Sequence, residues 1–381
     1  MKIGAFFNWQ NHLDWERYNS RGSEPPKVAD AQIYEEELHL ADLVEPLGFD
    51  TYWAIDHYVT PYGMTGGVMQ HLSHIAGRTK RIDVGTMVLV LPWYHPMHVV
   101  HQISALDNQL QGRGLTLGVG RGAAVREFSS FGIPMGDARG RYNETLEVIN
   151  LALTQEFFSF QGEHFTIPET SVRPRFRNPE RLRAGMKSGW ASPPSLPLAA
   201  NAGLGMLLTN QKSWEDYRKD VAMFNGIRRE NGWEPEQPTV VVRAACAEDS
   251  AEAWSLMATY ALEGQASSSN HYQLDDTERL RNTKGYEQYA AVGALTFTDE
   301  QILEAAAKPQ AWGTPDEVYE RLLHIQAMTG ASEFVLNFRF GTMPVEAAER
   351  SMRLFAQEVL PRLHSLDAKL GPELDGSQPV E

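Results

Sequence analysis

At 381 residues, with 42% apolar and 10% aromatic content, the chain is long enough to bury a large core, and α/β barrels of this length fold as one unit. Its 34 basic against 49 acidic residues leave a net charge of −15. That balance excludes nucleic acid and an anionic membrane surface as expected partners, because both need a concentrated basic face. The single cysteine, Cys246, rules out an internal disulfide, and its apolar run Val240–Cys246 reads as core rather than as a nucleophile.

In chain order, the pattern is a short apolar strand followed by an amphipathic stretch, repeated. The runs predict strands at Lys2–Phe7, Phe49–Ile55, Ile82–Leu89, Leu115–Gly120, Leu182–Met186, Met206–Leu208, Thr239–Cys246 and Glu333–Phe338. Several are continuous apolar runs, as expected of parallel strands covered on both faces. Helical stretches such as Tyr34–Leu47, Pro96–Leu110, Arg139–Leu153, Ser213–Glu230 and Pro315–Met328 separate them. Eight such repeats predict a (β/α)8 TIM barrel spanning 1–366 as one domain. Phe157–Pro168, with aromatics flanking Gln161-Gly162-Glu163, predicts an inserted hairpin. The polar stretch Gly264–Lys284 predicts a lid loop after strand seven. The segment 367–381, with Gly371, Pro372, Gly376 and Pro379, is expected to be disordered. The apolar start Met1–Phe7 is short and gives way to Asn8 and Gln10, and no run of about 18 apolar residues follows. A cytoplasmic location is therefore expected.

Barrel active sites lie where strands end. The second strand ends in Asp56-His57-Tyr58, which would put a carboxylate and a near-neutral imidazole at the mouth; a structural histidine held by a loop carbonyl is the other reading. The third ends through Met87-Val88 to Leu91-Pro92, equally compatible with core and turn. The spacing of His95, His98 and His101 raises the question of a metal, but no His-x-His pair closes the first strand, and no metal site is expected. Gly118-Val119-Gly120-Arg121-Gly122-Ala123 offers a glycine-lined approach with one guanidinium fork suited to phosphate. Ser192 and Ser195 stand at the start of a helical stretch, where hydroxyls and free N–H groups either hold an anion or simply cap.

The order and spacing of several segments resemble the bacterial luciferase family of flavin and deazaflavin barrels. They include Gly48-Phe49-Asp50-Thr51-Tyr52-Trp53-Ala54-Ile55-Asp56-His57, Gly112-Arg113-Gly114-Leu115, Gly118-Val119-Gly120-Arg121-Gly122, Arg141-Tyr142-Asn143-Glu144, Phe160–Phe165 and Gly313-Thr314-Pro315. The resemblance implies a monooxygenase that uses reduced FMN and dioxygen to oxidise a small apolar substrate through a flavin peroxide. It assigns His57 and Asp56 to the chemistry and Met87 and Val88 to support of the flavin ring, often across a cis peptide. It assigns Gly120, Arg121, Ala191, Ser192 and Ser195 to the cofactor and its phosphate. Phe7, Trp9, Tyr58, Trp93 and Trp312 are candidate substrate contacts, each equally readable as packing. Gly120 stands where luciferase has a reactive cysteine, Ala191 where it has a glutamate and Tyr58 where it has a second histidine, which counts against light-emitting aldehyde oxidation.

A deazaflavin-dependent dehydrogenase or reductase on the same barrel is the first alternative, and a non-catalytic flavin-binding protein the second. Because the sequence shows no nicotinamide-binding reductase segment, reduced flavin is expected from a separate NAD(P)H-flavin reductase. The resemblance also implies a homodimer packed through the helices that follow the early strands, and the apolar faces of Met69–Ala76 and Val99–Leu110 are compatible with that.

Overall fold

A computed structural model of the chain describes residues 1–189, 195–209, 212–290 and 297–377. The barrel strands are β1 (Lys2–Phe6), β2 (Thr51–Ala54), β3 (Asp83–Val90), β4 (Leu115–Gly120), β7 (Lys187–Gly189), β8 (Gly205–Thr209), β9 (Thr239–Cys246) and β11 (Glu333–Asn337). They close in the order β9-β11-β1-β2-β3-β4-β7-β8, with β8 returning to β9. The pairings with defined register are parallel. The fold is thus an eight-stranded parallel barrel with helical crossovers. A short strand, β10 (Ala311–Gly313), adds to β9, and β5 (Phe158–Gln161) and β6 (Thr166–Thr170) form the inserted antiparallel hairpin.

The fifth barrel strand is not where the apolar pattern placed it. Residues 179–184 are a helix opened by Pro179 and burying Leu182, while the strand is Lys187-Ser188-Gly189. A charged three-residue strand carries no apolar signature, and Lys187 enters the sheet because Glu236 pairs with it.

The lid expected over Gly264–Lys284 is also different. Ser250–Tyr272 is one continuous helix, followed by the helix Thr277–Arg281, which Asp276 caps. Buried positions 253, 257, 261, 264, 267 and 271 recur every three or four residues. The helical stripe is unbroken, but its last members are Ser267 and His271, so it reads as polar loop if only apolar residues are counted.

The chain divides into two compact units. The first comprises Met1–Trp53, Lys187–Ala266 and Phe297–Glu381, and the second Ala54–Met186 and Ser267–Thr296. In the first, Phe49, Phe338 and Phe355 pack ring against ring. Cys246 is buried there, its thiol pushed up to about 12 by burial. The tail expected to be disordered makes specific contacts as far as its described part: Leu374 is 1% exposed and its carbonyl accepts from Asn225 Nδ2 at 2.8 Å. Asp375 pairs with Arg229. In the second unit the helices Val68–Arg78 and Pro96–Gln109 bury Leu72, Ile75, Val99, Val100, Ile103 and Leu106. These are the apolar faces compatible with the expected dimer, and the chain's own packing covers those side chains.

Candidate functional site

Most of the candidate residues described in the structure fall in the second unit, where β2, β3 and β4 hand over to loops. Asp56 follows β2 and is 1% exposed. Its carboxylate accepts from Val90 N at 3.0 Å, Val68 N at 3.3 Å and the Tyr94 hydroxyl at 2.8 Å. Burial raises its pKa to about 6 against these donors. With its lone pairs committed to two backbone N–H groups and a phenol, Asp56 is a positioning residue that ties β2 to the end of β3. Tyr94 in turn meets the Tyr58 hydroxyl at 2.6 Å.

His57 turns the other way, into a cluster the sequence did not reveal. Its Nδ1 lies 3.2 Å from Glu127 Oε1 and 3.1 Å from His271 Nε2, and its Nε2 lies 3.1 Å from the Tyr272 hydroxyl. Glu127 Oε1 also accepts from Tyr58 N at 2.6 Å. His271 uses its other nitrogen, Nδ1, on Thr60 Oγ1 at 2.8 Å, and the Tyr62 ring stacks on it at 4.7 Å. Glu127 and His271 are fully buried. Burial opposes the charge of Glu127, yet His57 and His271 outweigh it and hold the carboxyl below its usual range. Burial likewise pushes His271 down to about 4, more strongly than Glu127 pulls it up. Glu127 Oε2 has no hydrogen-bond partner among the described residues.

The second feature is a cationic edge. Arg121 follows β4, stacks its guanidinium 4.1 Å from the Tyr286 ring centroid and donates to Gly285 O at 2.6 Å. Arg139 is pushed down by burial and then by Arg121. A partly buried guanidinium with a second guanidinium acting on it suits an anion such as a phosphate.

The third is an interruption in β3. Met87 and Val88 are partly exposed within a strand otherwise largely buried, the β3–β4 register shifts between Thr86 and Leu89, and the Met87-Val88 peptide is cis. Gly120 on β4 has no room for a side chain, since a Cβ there would lie 2.3 Å from Val88 Cγ2. Val88 packs with Tyr58 and Tyr94 against a cluster containing Val90, Trp93, Phe128 and Tyr286. The buried Trp93 Nε1 has no acceptor among the described residues. A flat, apolar wall with an uncommitted indole donor and a nearby pair of cations fits a planar ring carrying a phosphate.

The structure thus gathers Asp56, His57, Tyr58, Met87, Val88, Trp93, Gly120 and Arg121 in one unit. It does not gather the rest. Phe7 and Trp9 belong to the first unit and are wholly enclosed: Trp9 Nε1 donates to the Tyr52 hydroxyl at 3.2 Å and its ring packs 4.5 Å from Tyr34. Enclosure on every side leaves them no face for a substrate. Trp312, also in the first unit, sits 4.7 Å from the Trp254 ring and 3.9 Å under the Arg321 guanidinium. Ser195 begins the helix Ser195–Asn201 in the first unit, and Ala191 and Ser192 lie outside the described residues. His95 and His101 serve their own helix, His95 Nδ1 accepting from Met97 N and His101 Nδ1 lying 2.7 Å from Met97 O.

Glu127, His271 and Tyr272 were missed. Glu127 lies in Val125–Ser130, a helix with no motif around it. His271 had a signal, its place in the buried stripe of its helix, which becomes visible when polar residues are allowed on a buried face.

Among the described residues no helix is long and apolar enough to cross a membrane. An alkanal monooxygenase alpha chain from the Kryptophanaron alfredi symbiont is 26% identical over 209 residues, 55% of this chain and 58% of that one. The match therefore spans little more than half of that relative. The crystal structure of a monooxygenase from Streptomyces bottropensis superposes with a TM-score of 0.73 at 26% identity, covering 95% of this chain and all of that one. The oxygenating constituent of 3,6-diketocamphane monooxygenase from Pseudomonas putida, in complex with FMN, has a TM-score of 0.68 at 18% identity over 95% of this chain and 98% of that one. At that identity the likeness is one of fold. The family model described as luciferase-like monooxygenase matches residues 1–332, and the chain belongs to that family.

Proposed function

We propose that the chain is a flavin-dependent monooxygenase that takes reduced FMN from a separate NAD(P)H-flavin reductase and uses dioxygen to oxidise a small apolar organic substrate. Family membership across residues 1–332 carries the reading. The interrupted wall at Met87-Val88 and the Arg121/Arg139 pair support it, as surfaces for the ring and the phosphate. Bound flavin supplies the electrons and the reaction with dioxygen. The chain's own residues bind, orient and exclude water. Val88, Tyr58 and Trp93 present apolar surface. His57, only 12% exposed at its side chain and braced at both ring nitrogens, holds a proton at a fixed edge of that surface. The reading extends to a homodimer, which light scattering in solution checks.

The deciding experiment is a pair of anaerobic titrations, with reduced FMN and with reduced deazaflavin, followed by mixing with oxygenated buffer. Tight FMN binding and oxygen consumption that rises with an added apolar substrate are expected. Preference for the deazaflavin, with electron transfer indifferent to oxygen, would replace the proposal with a dehydrogenase or reductase. FMN binding with no oxygen-dependent turnover across aldehydes, cyclic ketones, terpenes and alkyl sulfonates would make the chain a flavin-binding protein. Within this reading Arg121→Ala weakens FMN more than riboflavin, which lacks the phosphate.

A further inference from the structure

We infer that His57 Nδ1, His271 Nε2 and the Glu127 carboxylate form a binding site for a divalent first-row transition-metal cation. The three groups come from the loop after β2, the helix Val125–Ser130 and the end of the helix Ser250–Tyr272. The separations are 3.1 Å between the two histidine nitrogens, 3.2 Å from His57 Nδ1 to Glu127 Oε1 and 3.5 Å from His271 Nε2 to Glu127 Oε2. Ligands about 2.1 Å from one ion lie about 3.0 Å apart in octahedral and about 3.4 Å apart in tetrahedral geometry. The distances run to both carboxylate oxygens, and an ion held by the two imidazoles and the carboxylate, through one oxygen or both, fits within this span.

Proton counting points the same way. If both facing nitrogens carry hydrogen, two N–H groups confront each other at 3.1 Å. If only one does, its proton serves the other imidazole or Glu127 Oε1, but not both well. Glu127 Oε2, fully buried, has among the described residues only a long contact to His271 Nε2 at 3.5 Å in either case. One cation satisfies every facing lone pair at once, and its charge offsets the burial of the carboxylate.

The outer partners match a metal site as well. A ligating imidazole commonly directs its other nitrogen to a hydrogen-bond partner that fixes tautomer and ring orientation. His57 Nε2 meets Tyr272 Oη and His271 Nδ1 meets Thr60 Oγ1. Two imidazoles and one carboxylate suit Zn2+, Fe2+ or Co2+ better than Mg2+ or Ca2+, which prefer oxygen alone. The bound ion fixes His57 as the Nε2–H tautomer and ties the end of the long helix to the loop after β2. The site stands or falls independently of the flavin reading.

The test uses the full chain stripped with a chelator and dialysed against Zn2+ or Co2+. One equivalent of Zn2+ per chain, a Co2+ absorption band in the visible typical of low coordination number, and a Zn2+-dependent rise in Tm are expected. Glu127→Gln keeps the side-chain shape but removes the anion, and lowers Zn2+ affinity by at least about 100-fold. Tyr272→Phe, which touches only the outer partner, lowers it by about tenfold. The proposal is overturned if the wild type binds less than one equivalent at saturation, or if binding survives Glu127→Gln and is lost in a His95→Gln/His98→Gln double variant. Should Glu127→Gln fail to fold, the wild-type stoichiometry, the Co2+ spectrum and the Tyr272→Phe affinity decide the matter.

Discussion

Glu333 and Glu127 are both buried glutamates, yet the protein treats them oppositely. Glu333 opens β11 at the amino end of the barrel strands, 7% exposed, where Thr51 Oγ1 donates to it at 2.5 Å and Trp53 Nε1 at 3.0 Å. Those donors and the charges of Lys2 and Lys187 pull the carboxyl down, but burial outweighs them and it titrates above its usual range. Glu127, fully buried beyond the carboxyl end of β4, faces two imidazoles and titrates below it. Burial opposes the charge in both; whether neighbouring hydrogen bonds and charges outweigh it decides each outcome. The difference fits the barrel's division of labour, in which the amino-terminal end serves stability and the carboxyl-terminal end carries chemistry.

The largest effect tests that contrast directly. Glu127→Gln removes a charge that the histidines stabilise and is expected to cost about 1.5–3 kcal/mol, the range for hydrogen bonds to charged groups. Urea midpoints with unchanged m-values measure it. A cost no greater than that of Glu333→Gln would sink the claim that neighbours outweigh burial at Glu127.

His71 sharpens the comparison, because the charge acting on it is that of another imidazole, His74. Burial, then His74, pushes it down to about 3. The unfolded chain therefore binds a proton near pH 6.5 that the folded chain refuses until about pH 3. Its contribution to stability is present above pH 6.5 and is lost as pH falls through that window. His71→Leu should flatten the acid limb of stability against pH; an unchanged limb means that other groups carry it.

Trp53→Phe deletes one neutral donor to Glu333 and is expected to cost about 1 kcal/mol, read from the same urea midpoints. Smallest at low pH is Glu333→Gln, under about 1 kcal/mol, because the protonated carboxyl and the amide resemble each other in shape and hydrogen bonding. Here the sign reverses from that of His71. The folded state keeps a proton that the unfolded state releases near pH 4.3, so wild-type stability falls as pH rises above that range. The variant lacks this decline and gains relative to wild type over the interval above about pH 4.3. A constant difference between the two proteins across that interval contradicts the raised carboxyl.

Parts of the site were legible in the chain and parts were not. Asp56 and His57 could be picked out because they end a recognisable apolar strand, and Arg121 because it interrupts a glycine run. Their roles could not be separated: two adjacent residues at a strand end point to opposite sides, so Asp56 ties backbone together while His57 enters the cluster with Glu127. Phe7 and Trp9 looked like substrate contacts for the same positional reason, and only packing shows that the first unit encloses them. The fifth strand and the helical end at His271 escaped because polar residues occupy buried positions there, paired by partners distant in the chain.

The sequence by itself determined the barrel, because apolar runs at seven of the eight strands, spaced by amphipathic helices, have few other ways to bury both faces of a parallel sheet. Only the tertiary structure decided which polar groups meet. The spacing of 70 residues between His57 and Glu127, and of 214 between His57 and His271, leaves no local periodicity to read. Their contact exists because closing the ring brings distant strand ends and helix ends together, and a buried carboxylate must take whatever donor or charge that closure supplies.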